Sequence, residues 1–397
     1  MKKPAIEGGN PIRKEYLIFG KPDIGKEEIN EVVNTLKSGW LSTGPKVKRL
    51  EDRFKKYVGC KHAIAVNSCT AALHLSLLCN GVGKDDEVIV TPMTFAATVN
   101  VIEHVGAKPV FVDIEKDSYN IDADKIKKAI TSKTKAIILV HFAGLPCDML
   151  KVNKIAREHK LIVIEDAAHA IGSEYNSKKI GSEGNPTCFS FYATKNLTAG
   201  EGGMIALNDG KLAEKMRIYS LHGLSKHAWQ RYTKDCKKTY EIVYPGYKYN
   251  MQDINAAIAI HQLEKIDKFN SIRKKYAKLY FKAFKNYDLI ELPPDKKERK
   301  NAWHLFPILL KLDKLKISRN DFINALDKEN IGSGIHFLSI HEQPYYKKKY
   351  KLKKNILKRA EYVSSRTASL PLQTSMNKKD VLDVVKAVKR ILDYYKI

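Results

Sequence analysis

The chain has 397 residues, 44% of them hydrophobic, and a formal net charge of +26. That length and apolar content suit one large domain plus a smaller one and exclude a disordered polymer. The longest apolar runs, such as 136–140 and 161–164, are strand-length and far short of a bilayer span, and Met1-Lys2-Lys3-Pro4 leads into polar residues. No membrane association and no secretory leader are therefore expected. The six cysteines (60, 69, 79, 147, 188, 236) show no C-x-x-C spacing, which argues against a zinc ribbon or disulfide framework and fits a reducing cytoplasm; no metal is expected. Lysine runs at 347–349 and 351–354 come with no nucleic-acid motif, so they read as solvated faces, and no nucleic-acid partner is expected. The positive field favours a doubly charged anionic substrate.

After a polar arm, residues 23–36 have helix character, with acidic residues early. A loop follows, Gly39-Trp40-Leu41-Ser42-Thr43-Gly44-Pro45, and then a second amphipathic helix over 47–57. The loop is either a connector or a ligand flank. From residue 61 apolar runs alternate with helical stretches. Strands are expected at 62–66, 87–91, 109–113, 135–140, 161–165, 187–191 and 203–207, a spacing that suits βαβ crossovers and a largely parallel, buried sheet. In such sheets ligands sit at the carboxyl ends of strands.

That rule selects residues. After the first strand, Asn67-Ser68-Cys69-Thr70 opens a helix whose free N–H groups and hydroxyls could hold an anion or simply cap the helix. After the second comes Phe95, an aromatic able to cover a planar ring or to pack in the core. The fifth ends in Glu165-Asp166-Ala167-Ala168-His169, where a carboxylate closes an apolar strand and needs a cationic partner unless it serves as a helix cap. The sixth leads to Ser190 and then Lys195, flanked by small and apolar residues. Desolvation would lower this lysine's pKa and make it a nucleophile able to form a Schiff base. Asp166 and Lys195 are one crossover unit apart, so both reach the same end of adjacent strands. Together these residues meet the requirements of pyridoxal 5′-phosphate: Lys195 for the aldehyde, Asp166 for the pyridinium nitrogen, Cys69, Thr70 and Ser190 for the phosphate, Phe95 for a ring face.

The runs Glu165 to His169, Ser190-Phe191-Tyr192-Ala193-Thr194-Lys195-Asn196 and Glu201-Gly202-Gly203 resemble the DegT/StrS-type sugar aminotransferases. The resemblance covers nearly the whole chain and includes Gly39-Trp40, Thr43-Gly44-Pro45, Asp113, Val140-His141, His222-Gly223, the run from Asp253 to Ala257, and Ser369-Leu370-Pro371-Leu372. Further details are most similar to the UDP-4-amino-4-deoxy-L-arabinose–oxoglutarate aminotransferases: His169, the run from Pro245 to Asn250, Ala302-Trp303-His304-Leu305-Phe306 and Gly334-Ile335-His336-Phe337.

The resemblance implies an α/β protein of pyridoxal-phosphate fold type I. A large cofactor-binding domain over 1–265 would carry a mostly parallel sheet between helices, with a smaller α+β domain over 266–397. It implies a homodimer with shared active sites, in which Lys248 or Asn250 reaches the neighbouring subunit's cofactor phosphate. Catalysis would rest on Lys195, Asp166 and His169, the histidine bonding the cofactor's ring oxygen. Trp40, Thr43, Tyr192 and His336 would contact substrate. Relatives that dehydrate sugars carry histidine in place of the lysine, so Lys195 favours amino transfer, from glutamate to a 4-keto nucleotide sugar. Two other readings stand beside it: amino transfer to a cyclitol or aromatic precursor, and a non-catalytic regulator whose charge engages nucleic acid. Beyond residue 250 a long helix from 253 to about 287, a strand at 305–310 and helices at 319–328 and 379–395 are expected.

Overall fold

The computed structural model describes residues 3–225 and 240–397; Cys236 lies outside them. Its first half carries strands β1 (His62–Val66), β2 (Glu87–Val90), β3 (Lys108–Phe111), β4 (Thr134–Val140), β5 (Ile162–Asp166), β6 (Glu174–Tyr175), β7 (Lys178–Lys179), β8 (Thr187–Ser190) and β9 (Gly203–Leu207). Between and before them run helices α1 (Lys26–Ser38), α2 (Pro45–Val58), α3 (Cys69–Cys79), α4 (Ala96–His104), α5 (Ala123–Ala129), α6 (Met149–Glu158) and α7 (Gly210–Ser220). All seven expected strands form, with ends shifted by a residue or two, and they make one seven-stranded sheet in the order β1-β9-β8-β5-β4-β2-β3. The run β8-β5-β4-β2-β3 is parallel, and β9 lies antiparallel to both its neighbours.

The near-continuous apolar strands follow from burial on both faces. Alternate residues feed separate cores, because successive side chains on a strand point to opposite faces. Ile137, Leu139, Phe189, Met204 and Ala206 pack with Leu50 and Phe54 of α2 and with Met149 and Val152 of α6. Ala136, Ile138, Cys188, Ile205 and Leu207 pack with Leu73 and Leu75 of α3, Val99 and Ile102 of α4, and Met216 of α7.

Helix α8 (Asp253–Phe284) then runs unbroken for 32 residues. Its first half, through Ala256, Ile260, Leu263 and Ile266, completes one core of the large sheet. Its second half, through Tyr276, Tyr280 and Phe284, enters a different core. There it meets the sheet β10-β12-β13, formed by β10 (Ile290–Glu291), β12 (Phe306–Leu310) and β13 (Thr367–Leu370). Strand β11 (Arg299–Lys300) pairs instead with β6 of the first half. Helices α9 (Arg319–Lys328), α10 (Pro344–Lys349), α11 (Lys358–Arg366) and α12 (Lys378–Tyr394) complete the C-terminal part. A division at residue 265 thus falls inside α8. The N-terminal arm, read from sequence as part of the first domain, packs on the C-terminal residues: Leu17 bridges to Ile331, and Arg13 is 2.7 Å from Asp380 and 3.0 Å from Asp383. The backbone N–H groups of Ala5 and Ile12 both donate to the Glu329 carboxylate at 2.9 Å.

Candidate active site

The site lies at the carboxyl ends of β4, β5 and β8, as an open parallel sheet requires. Phe189 in β8 and Phe191 just after it turn into the core against Phe54, with ring centroids 5.2 and 5.9 Å away. Ser190 and Tyr192 therefore face the other way, into a cavity of about 590 Å3. The cavity wall includes Cys69, Thr70, Phe95, Asp166, His169, Ser190, Tyr192, Lys195 and His336. Nine of the thirteen residues singled out from sequence thus converge on one space.

Asp166 ends β5 and is 5% exposed. Its Oδ1 accepts the Ala168 N–H at 3.0 Å and its Oδ2 accepts the Thr98 hydroxyl at 2.7 Å. Because Thr98 spends its proton on Asp166, Thr94, whose hydroxyl is 2.7 Å away, must donate to Thr98. Burial raises the Asp166 pKa, opposed by these hydrogen bonds and by Lys195. Among the described residues no cation pairs with it.

Lys195 lies deep in the cavity, and its backbone N–H is fixed on Tyr192 O at 2.9 Å. Its ammonium makes no hydrogen bond with a described residue. Burial lowers its pKa from 10.5 to about 8, against the pull of Asp166. At neutral pH a usable fraction is therefore free amine.

The start of α3 presents backbone N–H groups that can hold an anion. Ser68 caps the helix by accepting the Ala71 N–H at 3.1 Å, which leaves the earlier N–H groups of Cys69 and Thr70 free beside Ser190. Gly203 makes this closeness possible, since a Cβ there would lie 2.6 Å from Ser68 C and 2.7 Å from Cys69 N.

His169 is 6% exposed, and its Nδ1 accepts the Ala143 N–H at 3.3 Å, so its proton sits on Nε2. Burial, reinforced by Lys195, holds it neutral. His336 Nδ1 is 2.9 Å from the Ser369 hydroxyl, and burial lowers its pKa to about 4.

The other four residues gather in a separate cluster. Lys248 donates to Asn250 Oδ1 at 2.7 Å, Asn250 donates to the Thr43 hydroxyl at 2.7 Å, and the Trp40 indole donates to Thr43 O at 3.1 Å. Asp253 holds the loop in place by accepting the N–H groups of Gly44 and Val47 at 2.8 and 3.0 Å. Lys248 and Asn250 line a second hollow that shares only Glu201 with the main cavity. Within one chain this cluster does not reach the main site.

Three of the cavity residues to which the sequence reading gave no role are polar groups that shape the site: Thr98, His304 and Arg273. Thr98 lies one helical turn after Thr94, a spacing that could have shown that both share a face. His304 stands in a run that carries the resemblance but received no role. Its Nδ1 donates to Asn196 Oδ1 at 3.0 Å. The direction is fixed, because Asn196 Nδ2 donates to Asn270 Oδ1 at 2.8 Å and to Ala302 O at 2.9 Å. His304 therefore offers Nε2 as an acceptor, 4.4 Å between ring centroids from His169, which offers a donor. Arg273 sits in the run Arg273-Lys274-Lys275, where nothing distinguishes it from surface cations.

A profile of the DegT/DnrJ/EryC1/StrS aminotransferase family matches residues 22–389. The Bacillus subtilis spore coat polysaccharide biosynthesis protein SpsC is 47% identical over 381 residues, covering 96% of this chain and 98% of SpsC. Among solved structures, the PLP form of the putative sugar aminotransferase Spr1654 from Streptococcus pneumoniae superposes with a TM-score of 0.88 at 33% identity, covering 96% of this chain and 99% of that one. DesI, solved in the presence of its TDP-sugar product, gives 0.88 at 27% identity, covering 98% and 96%.

The chain belongs to the DegT/DnrJ/EryC1/StrS aminotransferase family. Its fold is that of the type I pyridoxal-phosphate enzymes, and its cofactor is pyridoxal 5′-phosphate. The residues fit that group on their own geometry: a buried carboxylate with no cation and an amine with no hydrogen-bond partner among the described residues share one cavity with an open helix N-terminus.

Proposed function

We propose that this enzyme moves an amino group from glutamate to a 4-keto nucleotide sugar, UDP-linked, making a 4-amino sugar for a surface polysaccharide. The observation that carries amino transfer is Lys195, held near a pKa of 8 in the same cavity as Asp166, which pairs with no cation among the described residues. A nucleotide sugar as acceptor is supported by the TDP-sugar product of DesI and by the net charge of +26. The polysaccharide setting is supported by SpsC, and the UDP-linked 4-keto sugar by the sequence runs around Pro245 and His304.

When bound, the cofactor takes up the electrons of the breaking carbon–hydrogen bond and carries the amino group between substrates. Asp166 would hold the proton on the ring nitrogen, with Thr98 and the Ala168 N–H keeping the carboxylate ionised and oriented. The N–H groups of Cys69 and Thr70, with Ser190, would hold the phosphate, and Phe95 would cover a ring face. His169 would donate from Nε2 to the ring oxygen. Lys195 Nζ, free for part of the cycle, takes the proton from the amine-bearing carbon of the donor and returns one to the sugar carbon in the second half. Tyr192 and His336 line the space left for substrate.

The second cluster supports a homodimer with shared sites: Trp40, Thr43, Lys248 and Asn250, displaced from their own cavity, would complete the neighbouring one. A lysine at 248 suits a phosphate as a point charge. The proposed setting is the reducing cytoplasm, where Cys60, Cys69, Cys79, Cys147 and Cys188, all unpaired, stay thiols.

Initial rates with glutamate and a UDP-linked 4-keto sugar test the reading. Parallel double-reciprocal lines are expected for amino transfer in two halves; intersecting lines contradict it.

A further inference from the structure

Four charged side chains line the main cavity: Asp166, Lys195, Glu201 and Arg273. Lys195 and Asp166 are committed to the cofactor, and Glu201 is exposed at the junction with the second hollow. Arg273 is different. It projects from α8 and is only 5% exposed, yet no carboxylate pairs with it among the described residues. Its Nη1 donates to two backbone carbonyls, His304 O at 3.3 Å and Leu372 O. Its Nε is sealed off without a partner. Nη2 makes no hydrogen bond with a described residue, and the side chain forms part of the cavity wall. A buried charge without a counter-charge is costly, and two carbonyl dipoles offset only part of that cost. For Asp166 the missing partner is the cofactor's ring nitrogen. For Arg273 it must be an anion.

We infer that Arg273 binds a carboxylate of the amino donor. This rests on the amino-transfer reading above. The cofactor phosphate is not the anion, because its cradle is at the start of α3, whereas Arg273 is tied to the loops carrying His304 and Leu372. A nucleotide diphosphate would bring two charges to a site that offers one cation. The rings nearest to Arg273 add no second charge: burial, then His169 and Lys195, hold His304 neutral. One deep cation among neutral groups matches one carboxylate, and a guanidinium suits that partner.

A structural role for the two carbonyl bonds is separable, because Arg319 makes the same kind of tie. It is 9% exposed, its Nη1 donates to Ser364 O at 3.1 Å and Thr367 O at 3.3 Å, and it does not line the cavity. The test is calorimetric binding of glutarate, an unreactive dicarboxylate, to cofactor-loaded wild type, Arg273→Gln and Arg319→Gln. Loss of one charge-assisted bond weakens glutarate by about 10- to 100-fold in Arg273→Gln, while Arg319→Gln stays within about 3-fold. Equal binding by Arg273→Gln and wild type overturns the inference, as does an equal loss in Arg319→Gln. Should Arg273→Gln not fold, Arg273→Lys is measured instead: it keeps the charge but loses the planar fork, so weaker glutarate is expected there, and binding as tight as in wild type overturns the inference. The two readings fail separately: wild type that binds glutarate through Arg273 but aminates no keto sugar keeps the carboxylate subsite and loses the acceptor. Wild type that aminates the sugar while Arg273→Gln binds glutarate unchanged keeps the acceptor and loses the subsite.

Discussion

Lys195 couples the pH dependence of stability to that of chemistry. Its pKa of about 8 lies below the ordinary 10.5, so between these values the unfolded chain holds more protons than the folded one. Stability of the cofactor-free protein from this group therefore rises with pH from about 8 to about 10.5, with a slope of at most about 1.4 kcal/mol per pH unit. Lys195→Met removes the buried charge. Thermal melts of the cofactor-free pair should show the variant ahead at pH 7 and its lead shrinking towards pH 10.5; a lead independent of pH contradicts the assignment. Thr98→Val keeps the shape of the side chain but removes a donor from the Asp166 carboxylate, whose other partner is the Ala168 N–H. A titration of pyridoxal phosphate should show weaker retention by about 5- to 20-fold, less than a directly lost charge-assisted bond because Thr98 acts through Asp166. At this scale Asp166 and Ser190 were legible as the ends of apolar strands, and Lys195 because small and apolar residues flank it on the loop after β8. Arg273 and His304 were not, since they stand on α8 and on a later loop, and only the tertiary fold brings them to the strand ends that form the site.

Among the elements, the long β-strands and α8 were legible from apolar runs and helical periodicity. The two-residue strands β6, β7, β10 and β11 were not, because so short a segment has no period to read. Their pairing is set by tertiary contact, as β11 on β6 shows. The reversed direction of β9 was equally hidden, since an apolar run fixes burial and not polarity. That reversal puts Gly203 at the start of β9, opposite Val66 and Ser190. From there it touches the backbone of Ser68 and Cys69. Gly203→Ala would force these backbones apart, at a cost of about 1–3 kcal/mol in stability. It should also weaken cofactor binding by more than Ser68→Ala, which removes only the cap of α3. Melting temperature and cofactor titration on both variants check this; Gly203→Ala with unchanged cofactor affinity would show that the cradle does not depend on the contact.

Across the whole molecule, the proposed division of roles between the two clusters bears on assembly. If Lys248 completes the neighbouring subunit's site, then Lys195→Ala and Lys248→Ala are defects on opposite sides of a shared site. After unfolding and refolding together in equal amounts, half the dimers are mixed and each holds one intact site, so activity should return to about one quarter of wild type. No recovery would place Lys248 in its own subunit's site or outside catalysis. The overall architecture was legible in outline, as a parallel sheet followed by a smaller α+β part. The packing of the N-terminal arm on the C-terminal residues was not, because Glu329 and Asp380 meet the arm across more than three hundred residues of sequence. The most direct measurement is a two-step single turnover followed by visible absorbance. The cofactor-loaded enzyme is converted with glutamate, freed of it by gel filtration, and then given a UDP-linked 4-keto sugar. Return of the original band together with one equivalent of 4-amino sugar per site, and neither with Lys195→Ala, is the expected result. A band that glutamate bleaches but the keto sugar fails to restore would contradict the proposed acceptor.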